Sequence, residues 1–573
     1  MQVTICNGGI TVAAEPYMLT FPVDRPFVLL KDASGTQLAE LFVLSSVHPL
    51  HARDDTVRIE DWETVEQDDE IVLTLRAYSS AWEEKRYRFR CRPHRFTYEM
   101  EVVGEGQLAE VHLFGGYYSG GLRWGSGFFS SGQSFAEAFN PEPNADEMNF
   151  FSPAESSVID MSGVPLPGRA SWFFTPPPFC FAFRSDSQWV SMGVEAAAGA
   201  NRFIEYRYNG HRNSFYLTLN YEGHTSVSGA YHLPAIGFDF GPDVYDTLSA
   251  HVLALRTAGY VPTSEGTITR PLWWLAPIFS GWGAQCYLAS KERGQASRYA
   301  RQELYEEFLS VLGHEDVEPG VVVIDDKWQA TYGRNEVDKE KWPDLPGFVE
   351  HQHSRGQKVL LWLKLWDPEG VPAEQCITNA AGLPVSVDPT HPAFRQRLKV
   401  SVQRMLSPQG YNADGFKIDF SARIPSGPGI RCYGDSWGLE LMKLYLSIIY
   451  ETAKEVKPDA LIMTHTPHPY LADVVDMIRL NDINTRKDVL KAMRHRARIA
   501  SIACPNAVID TDNWPIPDKA TWRDYLALQT ELGVPSLYYA SHVDSTGEPL
   551  EAEDYQLIRD VWRRYRSRTE LSR

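Results

Sequence analysis

The sequence has no basic surplus, no long apolar run and no paired-cysteine motif, and each absence removes a class of function. Against 55 lysines and arginines stand 74 aspartates and glutamates, a net charge of −19. Nucleic acid and anionic membranes, whose phosphates demand a basic face, are therefore not expected as partners. No window approaches the run of about 18 apolar residues that spans a bilayer. The opening MQVTICNGGITVAAEPY lacks a basic stretch followed by an apolar core, so a cytoplasmic protein is expected. Seven cysteines (Cys6, Cys91, Cys180, Cys286, Cys376, Cys432, Cys504) are scattered, odd in number and without a C-x-x-C pair. They read as reduced thiols rather than a disulfide framework or a zinc site. Phosphate-cradling loops and a Gly-x-Ser-x-Gly elbow are missing as well, and neither metal nor cofactor is expected.

What is present is an ordinary globular composition, 43% hydrophobic and 23% charged, in a chain of 573 residues that exceeds what one core usually supports. Two domains are expected. Aromatics reach 12%, with 16 tryptophans. Indole suits the apolar face of a sugar ring, although large β cores use the same residues.

Up to about residue 260 the chain reads as short strands between turns, for example EIVLTLRAY, RYRFRCR, RFTYEMEVV and RFIEYRYNG, with helical periodicity nearly absent. This predicts an all-β sandwich over residues 1–265. The aromatic, Gly- and Pro-rich stretches GGYYSGGLRWGSGFFSSG and GVPLPGRASWFFTPPPF are expected to be ordered loops, and VPTSEGTITRP, residues 261–271, is the expected boundary. From there the pattern becomes apolar strand, loop, amphipathic helix, repeated. Eight strands are countable: LWWLAPIFSGW, GVVVIDD, KVLLWLKLW, GFKIDF, ALIMTH, VDMIRLND, AVIDTDN and PSLYYA. Residues 266–573 are thus expected to form a (β/α)8 TIM barrel. An open doubly wound sheet is disfavoured because no Gly-rich dinucleotide turn follows the first strand.

Such barrels place catalytic residues at the C-terminal strand ends. Here those ends carry Asp325-Asp326, Lys364, Lys417 with Asp419, Thr464-His465, Arg479 with Asp482, and Asp510 with Asp512. A lone strand-end Asp is most often a turn former or helix cap, but the cluster is less easily dismissed. Lys417 and Asp419, two apart on an extended strand, point to the same side. A lysine beside a carboxylate holds it ionised, as a nucleophile requires. Retaining glycoside hydrolysis needs a second carboxyl group about 5–5.5 Å away. Asp482 is the leading candidate. Arg479 three residues before it would lower the pKa of a group that must stay protonated, so the assignment requires the guanidinium to point at substrate. His351 and His353 read as surface residues, and His465 and His468 as pocket wall rather than zinc ligands.

Four short motifs together resemble glycoside hydrolase clan D, which joins families 27, 31 and 36, with the α-galactosidase-like family 36 nearest. VIDDKW resembles a strand-two Asp-Asp-Gly-Trp element whose aspartates bind sugar hydroxyls. FKIDF resembles the Lys-x-Asp nucleophile strand, RLND the Arg-plus-Asp acid/base strand, and IDTDNW the Asn-Asp-Pro-Asp stretch of strand seven. The resemblance implies a retaining α-glycosidase with Asp419 as nucleophile and Asp482 as acid/base. Asp325, Asp326, Trp362, Lys364, Lys417, His465, Arg479 and Asp512 would surround the substrate. It departs from the pattern at Lys327, where glycine is usual, and at strand five, where histidines replace an acid. Asp512 is the competing acid/base, since DNW also resembles a family 31 motif. An α-galactoside is the first substrate expected, with family 31-like α-glucosides, α-xylosides or sulfonated sugars as alternatives. A transglycosylase of raffinose-synthase type and a non-catalytic carbohydrate-binding protein are the rival functions. The expected partner is a small-molecule or oligosaccharide α-glycoside, and a homo-oligomer is left open.

Overall fold

A computed structural model of the chain describes residues 1–6, 8–120, 125–141, 150–151, 157–159, 178–185, 188–262, 270–480, 482 and 488–571. The N-terminal part is an antiparallel β domain. Its strands alternate as the sequence requires: in Glu70–Ser79 and Glu84–Cys91 every second side chain is buried. The 19-residue strands Arg95–Leu113 and Ser214–His232 pair with each other along most of their length. Tyr17–Pro22 shares no ladder with Glu84–Cys91 or Arg95–Leu113, yet Tyr17 sets its ring 5.1 Å from Phe96 in a tilted contact and Phe21 meets Phe89 at 5.2 Å. These contacts between unpaired strands are the core of a sandwich.

Two expectations are corrected here. The glycine-rich stretch beginning at Gly115 is largely strand, because Gly115–Tyr118 and Gly127–Gln133 form a hairpin ladder. Glycine is needed because a Cβ on Gly116 would lie 2.3 Å from the Leu44 carbonyl oxygen. The stretch beginning at Gly163 lies outside the described residues up to position 177, as do positions 263–269 of the expected boundary. Secondly, the N-terminal half contains a 14-residue helix, Val244–Thr257, started by Asp243 capping the Tyr245 N–H. Its buried Val244, Leu248, Val252 and Leu255 carry a helical period that is short enough to be lost among strands. It packs between strands Trp189–Glu195 and Ala235–Gly241 on one side and the helix Val489–Ala503 on the other.

The second part is a closed parallel barrel. Its strands are β1 (Ile278–Ser280), β2 (Val321–Ile324), β3 (Lys358–Lys364), β4 (Gly415–Asp419), β5 (Leu461–Thr464), β6 (Met477–Arg479), β7 (Val508–Asp510) and β8 (Ser536–Leu537). β8 pairs with β1, and an Asp510–Val534 bridge closes β7 onto the segment leading into β8. All eight expected strands are present. The β5–β6 crossover is unusual, since only a 3-10 turn, Pro469–Leu471, stands where a helix is customary. Leu255 of the N-terminal helix and His468 line one small cavity beside it, so the sandwich covers this gap.

Strand period then sorts the barrel interior. The inward residues Ile278, Val321, Val323, Leu360, Leu461, Met463, Met477 and Val508 make one apolar plug. Two residues further along each strand the same faces turn polar: Ser280, Asp325, Trp362, Lys417, His465, Arg479 and Asp510. At the opposite end Asp414 binds His353, Lys358 and Lys457 at 2.6, 3.1 and 3.2 Å. His353 is thus part of a buried clasp and not a plain surface residue.

Candidate active site

Asp419 ends β4 inside the barrel mouth. Its Oδ1 accepts from the Phe420 N–H at 3.0 Å, His465 Nε2 at 3.1 Å and Arg479 Nη2 at 3.4 Å, and its Oδ2 from the Trp362 indole at 3.2 Å. Burial alone raises this carboxyl, but the Arg479 charge, the His465 hydrogen bond and charge, and Lys417 outweigh it. Asp419 is held well below the usual carboxylate range.

Across the mouth Arg479, 2% exposed, bridges three acids. Its Nη1 reaches Asp482 Oδ1 at 2.8 Å and Asp512 Oδ2 at 2.5 Å, while Nη2 reaches Asp419. The guanidinium therefore binds Asp482 directly instead of pointing only at the open pit, contrary to the requirement set by the sequence. The carboxyl nevertheless moves upward. Burial lifts it, Arg479 opposes, and the charges of Asp419 and Asp512 lift it further, to about 6. One cation among three acids cannot compensate them all.

Asp512 is fully buried. Its Oδ1 accepts the backbone N–H groups of Asn513 and Trp514 at 2.6 and 3.0 Å, and Oδ2 holds Arg479. Asp510 stands behind it, bonded to Ser536, and accepts the Asp512 N–H at 3.0 Å.

The paired aspartates after β2 divide their work. Asp325 is 2% exposed, and its Oδ2 accepts from Lys417 Nζ at 2.6 Å and Ser280 at 2.8 Å. Lys417 thus takes Asp325 as its direct partner, not Asp419. Asp326 is half-buried, accepts the Tyr332 hydroxyl at 2.8 Å, and is pushed up to about 6 by burial, against the Tyr332 hydrogen bond and with help from Asp325 and Asp419. Lys364 pairs with Asp367 at 2.8 Å, an acid outside the cluster, and lies 4.2 Å from the Tyr332 ring centre. Lys327 pairs with Glu369 at 2.7 Å. His465 is fully buried behind Asp419 rather than on the pocket surface. His468, also buried, is lowered to about 3 by burial and the nearby His251 and Lys443, and caps the Tyr470 N–H.

All ten residues singled out from sequence gather at this one mouth. Tyr332 escaped the sequence reading, although its place six residues after Asp326 in a loop opening off β2 was a usable signal. So did Trp282, Trp514 and Asp544: Trp282 and Trp514 meet at 5.8 Å, and the Trp514 indole donates to Asp544 at 3.0 Å. Among the described residues no three ligating side chains converge as a metal site needs, and no helix is long and apolar enough to cross a membrane.

A β-sandwich followed by a (β/α)8 barrel is a fold this chain shares with solved structures of sugar-processing enzymes. A GH31 family sulfoquinovosidase from E. rectale, in complex with an aza-sugar inhibitor, superposes with a TM-score of 0.61 at 12% identity, covering 100% of this chain and 83% of that one. An α-galactosidase from Thermus thermophilus in complex with stachyose matches with a TM-score of 0.51 at 14% identity, over 87% of this chain and 99% of its own. The cycloalternan-forming enzyme from Listeria monocytogenes, in complex with a pentasaccharide substrate, gives 0.54 at 11% identity; this chain, 98% covered, spans 54% of that enzyme's length. At these identities the likeness is one of fold. No protein-family model and no curated protein sequence matches the chain.

Proposed function

We propose that the protein is a retaining α-glycosidase of the clan D kind. The observation that carries this reading is a pair of carboxyl groups on β4 and just past β6, gripped by one guanidinium and displaced in opposite directions: Asp419 downward, Asp482 upward. A site that ionises one acid and keeps its neighbour protonated has divided the nucleophile from the proton donor. Sharing one arginine favours the closer carboxyl spacing of about 5–5.5 Å found in retaining enzymes over the roughly 6.5–9.5 Å of inverting ones.

In the first step Asp419 bonds to the anomeric carbon while the glycosidic C–O bond breaks, and Asp482 gives its proton to the departing oxygen. In the second, Asp482 takes a proton from water as the water oxygen displaces Asp419, returning the α-anomer. Asp512 is a poorer proton donor because both of its oxygens are already engaged and it has no exposed surface. Asp326, the accessible member of its pair, holds a sugar hydroxyl with Tyr332 behind it. Asp325 and Lys417 support it from below.

Fold neighbours include both GH31 enzymes and α-galactosidases, so the family 36 leaning of the sequence carries no preference over family 31. Lys364 is already compensated by Asp367, which favours a neutral hexose over an anionic one. The test is a panel of nitrophenyl α-glycosides of galactose, glucose, xylose and sulfoquinovose. One sugar is turned over, with the α-anomer appearing first by NMR. Asp419→Ala abolishes that turnover without unfolding the protein, and near-wild-type turnover in a folded Asp419→Ala variant refutes the proposal.

A further inference from the structure

The two oxygens of Asp419 are not equivalent, and the difference traces to a histidine that stands behind the pit. Resting on the glycosidase reading, we propose that His465 is a positioning residue that anchors Oδ1 of Asp419 and thereby makes Oδ2 the attacking atom. His465 is the inward residue immediately after β5 and has no exposed surface, so it does not meet substrate. Its Nε2 lies 3.1 Å from Oδ1, which also receives the Phe420 N–H at 3.0 Å and Arg479 Nη2 at 3.4 Å. Oδ2 receives the Trp362 indole at 3.2 Å. An ionised carboxylate offers about four acceptor positions, two on each oxygen. Three donors crowd Oδ1, so a bond from that atom to carbon would cost existing hydrogen bonds. Among the described residues Oδ2 meets one donor and keeps a lone pair in hand.

The consequence is a defined reaction geometry. The Oδ2 lone pair forms the bond to the anomeric carbon, the leaving oxygen departs with the glycosidic electron pair, and the Asp482 proton goes to that oxygen. When water attacks, the carbon–Oδ2 bond breaks, its electrons return to Asp419, and the water proton passes to Asp482. Throughout, Oδ1 stays on His465 and the Phe420 N–H, so the carboxylate does not rotate between steps. The charged and titratable groups around Asp419 are Asp325 and Asp326 beyond β2, Lys364 on β3, Lys417 on β4, His465 beyond β5, Arg479 and Asp482 at β6, and Asp512 beyond β7. Among these His465 and Arg479 donate to Oδ1, and Arg479 is shared with Asp482 and Asp512.

The experiment compares wild type with His465→Leu, which removes the donor, and His465→Gln, which restores an N–H, on the sugar identified by the nitrophenyl panel. Loss of a hydrogen bond to a charged group lowers kcat about 10- to 100-fold. KM stays within about twofold, and the acid limb of kcat/KM moves up by about one to two pH units, because the ionised form of Asp419 has lost a donor. His465→Gln recovers most of both. A purely structural role leaves the acid limb in place, or lowers kcat equally in both variants, and either result overturns the proposal. Independently of how the variants fold, wild type trapped with the 5-fluoro α-glycosyl fluoride of the same sugar gives a crystal structure with the ester on Oδ2 and His465 still on Oδ1. An ester on Oδ1 overturns the proposal. Absence of any turnover or Asp419 adduct in wild type overturns the glycosidase reading itself, and the two failures are thereby distinguished.

Discussion

Replacing Arg479 by Met tests the electrostatic account of the site most directly, because it keeps bulk and deletes the one cation bound to Asp419, Asp482 and Asp512 together. Breaking a buried pair by removing one partner typically costs about 3–5 kcal/mol, since the remaining charge is left without compensation. At pH 8 the barrel transition of Arg479→Met is therefore expected to fall by roughly 10 °C. The pH dependence is the sharper signature. Without the cation, burial and mutual repulsion raise the folded-state pKa of Asp482 further above the unfolded value of about 3.9, and that of Asp419 rises with it. A folded state that holds more protons than the unfolded one loses stability as pH rises between those two values. The slope is up to about 1.4 kcal/mol per pH unit for each extra proton. The deficit relative to wild type is thus smallest near pH 4.5 and grows toward pH 8. The measurement is the unfolding midpoint of both proteins across that range. A deficit of equal size at pH 5 and pH 8 would show that Arg479 acts by packing alone and would refute the charge argument.

Three further outcomes are expected. Asp482 must be protonated to act, so kcat/KM falls as pH rises through about 6; in Asp482→Asn that basic limb disappears while dinitrophenyl glycosides still release their leaving group in a burst, and a persisting limb assigns it elsewhere. At the opposite barrel end burial opposes, but His353, Lys457 and the Val359 N–H depress Asp414 to about 2. A depressed carboxyl contributes stability above its unfolded value that vanishes as pH falls toward 2, on the order of 2 kcal/mol here, so Asp414→Asn should be less stable at pH 7 and should lose less on acidification; parallel acid curves sink this. On the sandwich, Glu222 accepts the Ser426 hydroxyl and the Gly427 N–H, both at 2.7 Å, and His224 meets the Gly427 carbonyl at 2.8 Å. Glu222→Ala should speed hydrogen exchange across residues 420–437 with little change in the unfolding midpoint, and unchanged exchange there shows that Glu222 does not hold this loop to the sandwich.

Much of this was legible because two periods and one rule of architecture carry it. The period of two in GFKIDF put Lys417 and Asp419 on one face, and the same period on its neighbours filled the mouth with the residues expected there. What sequence spacing could not supply was pairing across strands. Two residues along a strand are about 6.6 Å apart, too far for Lys417 to prefer Asp419 over Asp325, which meets its ammonium at 2.6 Å. The same limitation hid Tyr332 and Asp544, which reach the site from loops whose path no local pattern encodes. The helix Val244–Thr257 was missed for another reason: four buried apolar residues in 14 are a weak periodic signal beside long alternating strands, and its docking depends on a gap in a barrel that comes later in the chain.

The apparent contradiction of an arginine bound to a general acid resolves once donors rather than charges are compared. Arg479 supplies one positive charge to three carboxyl groups, so between Asp419 and Asp482 the proton goes to the acid whose burial is less well offset. Asp512 has two backbone N–H groups. Asp419 has one backbone N–H, an imidazole and an indole. Asp482 must set its bond to Arg479 against burial and two like charges, and burial weighs most. The nucleophile and the acid are thus distinguished by where strands β3, β4 and β5 place further donors, with the arginine common to both. Shifting that balance, by removing a donor from Asp419, should raise the nucleophile and lower the acid together, because the proton they compete for is the same one.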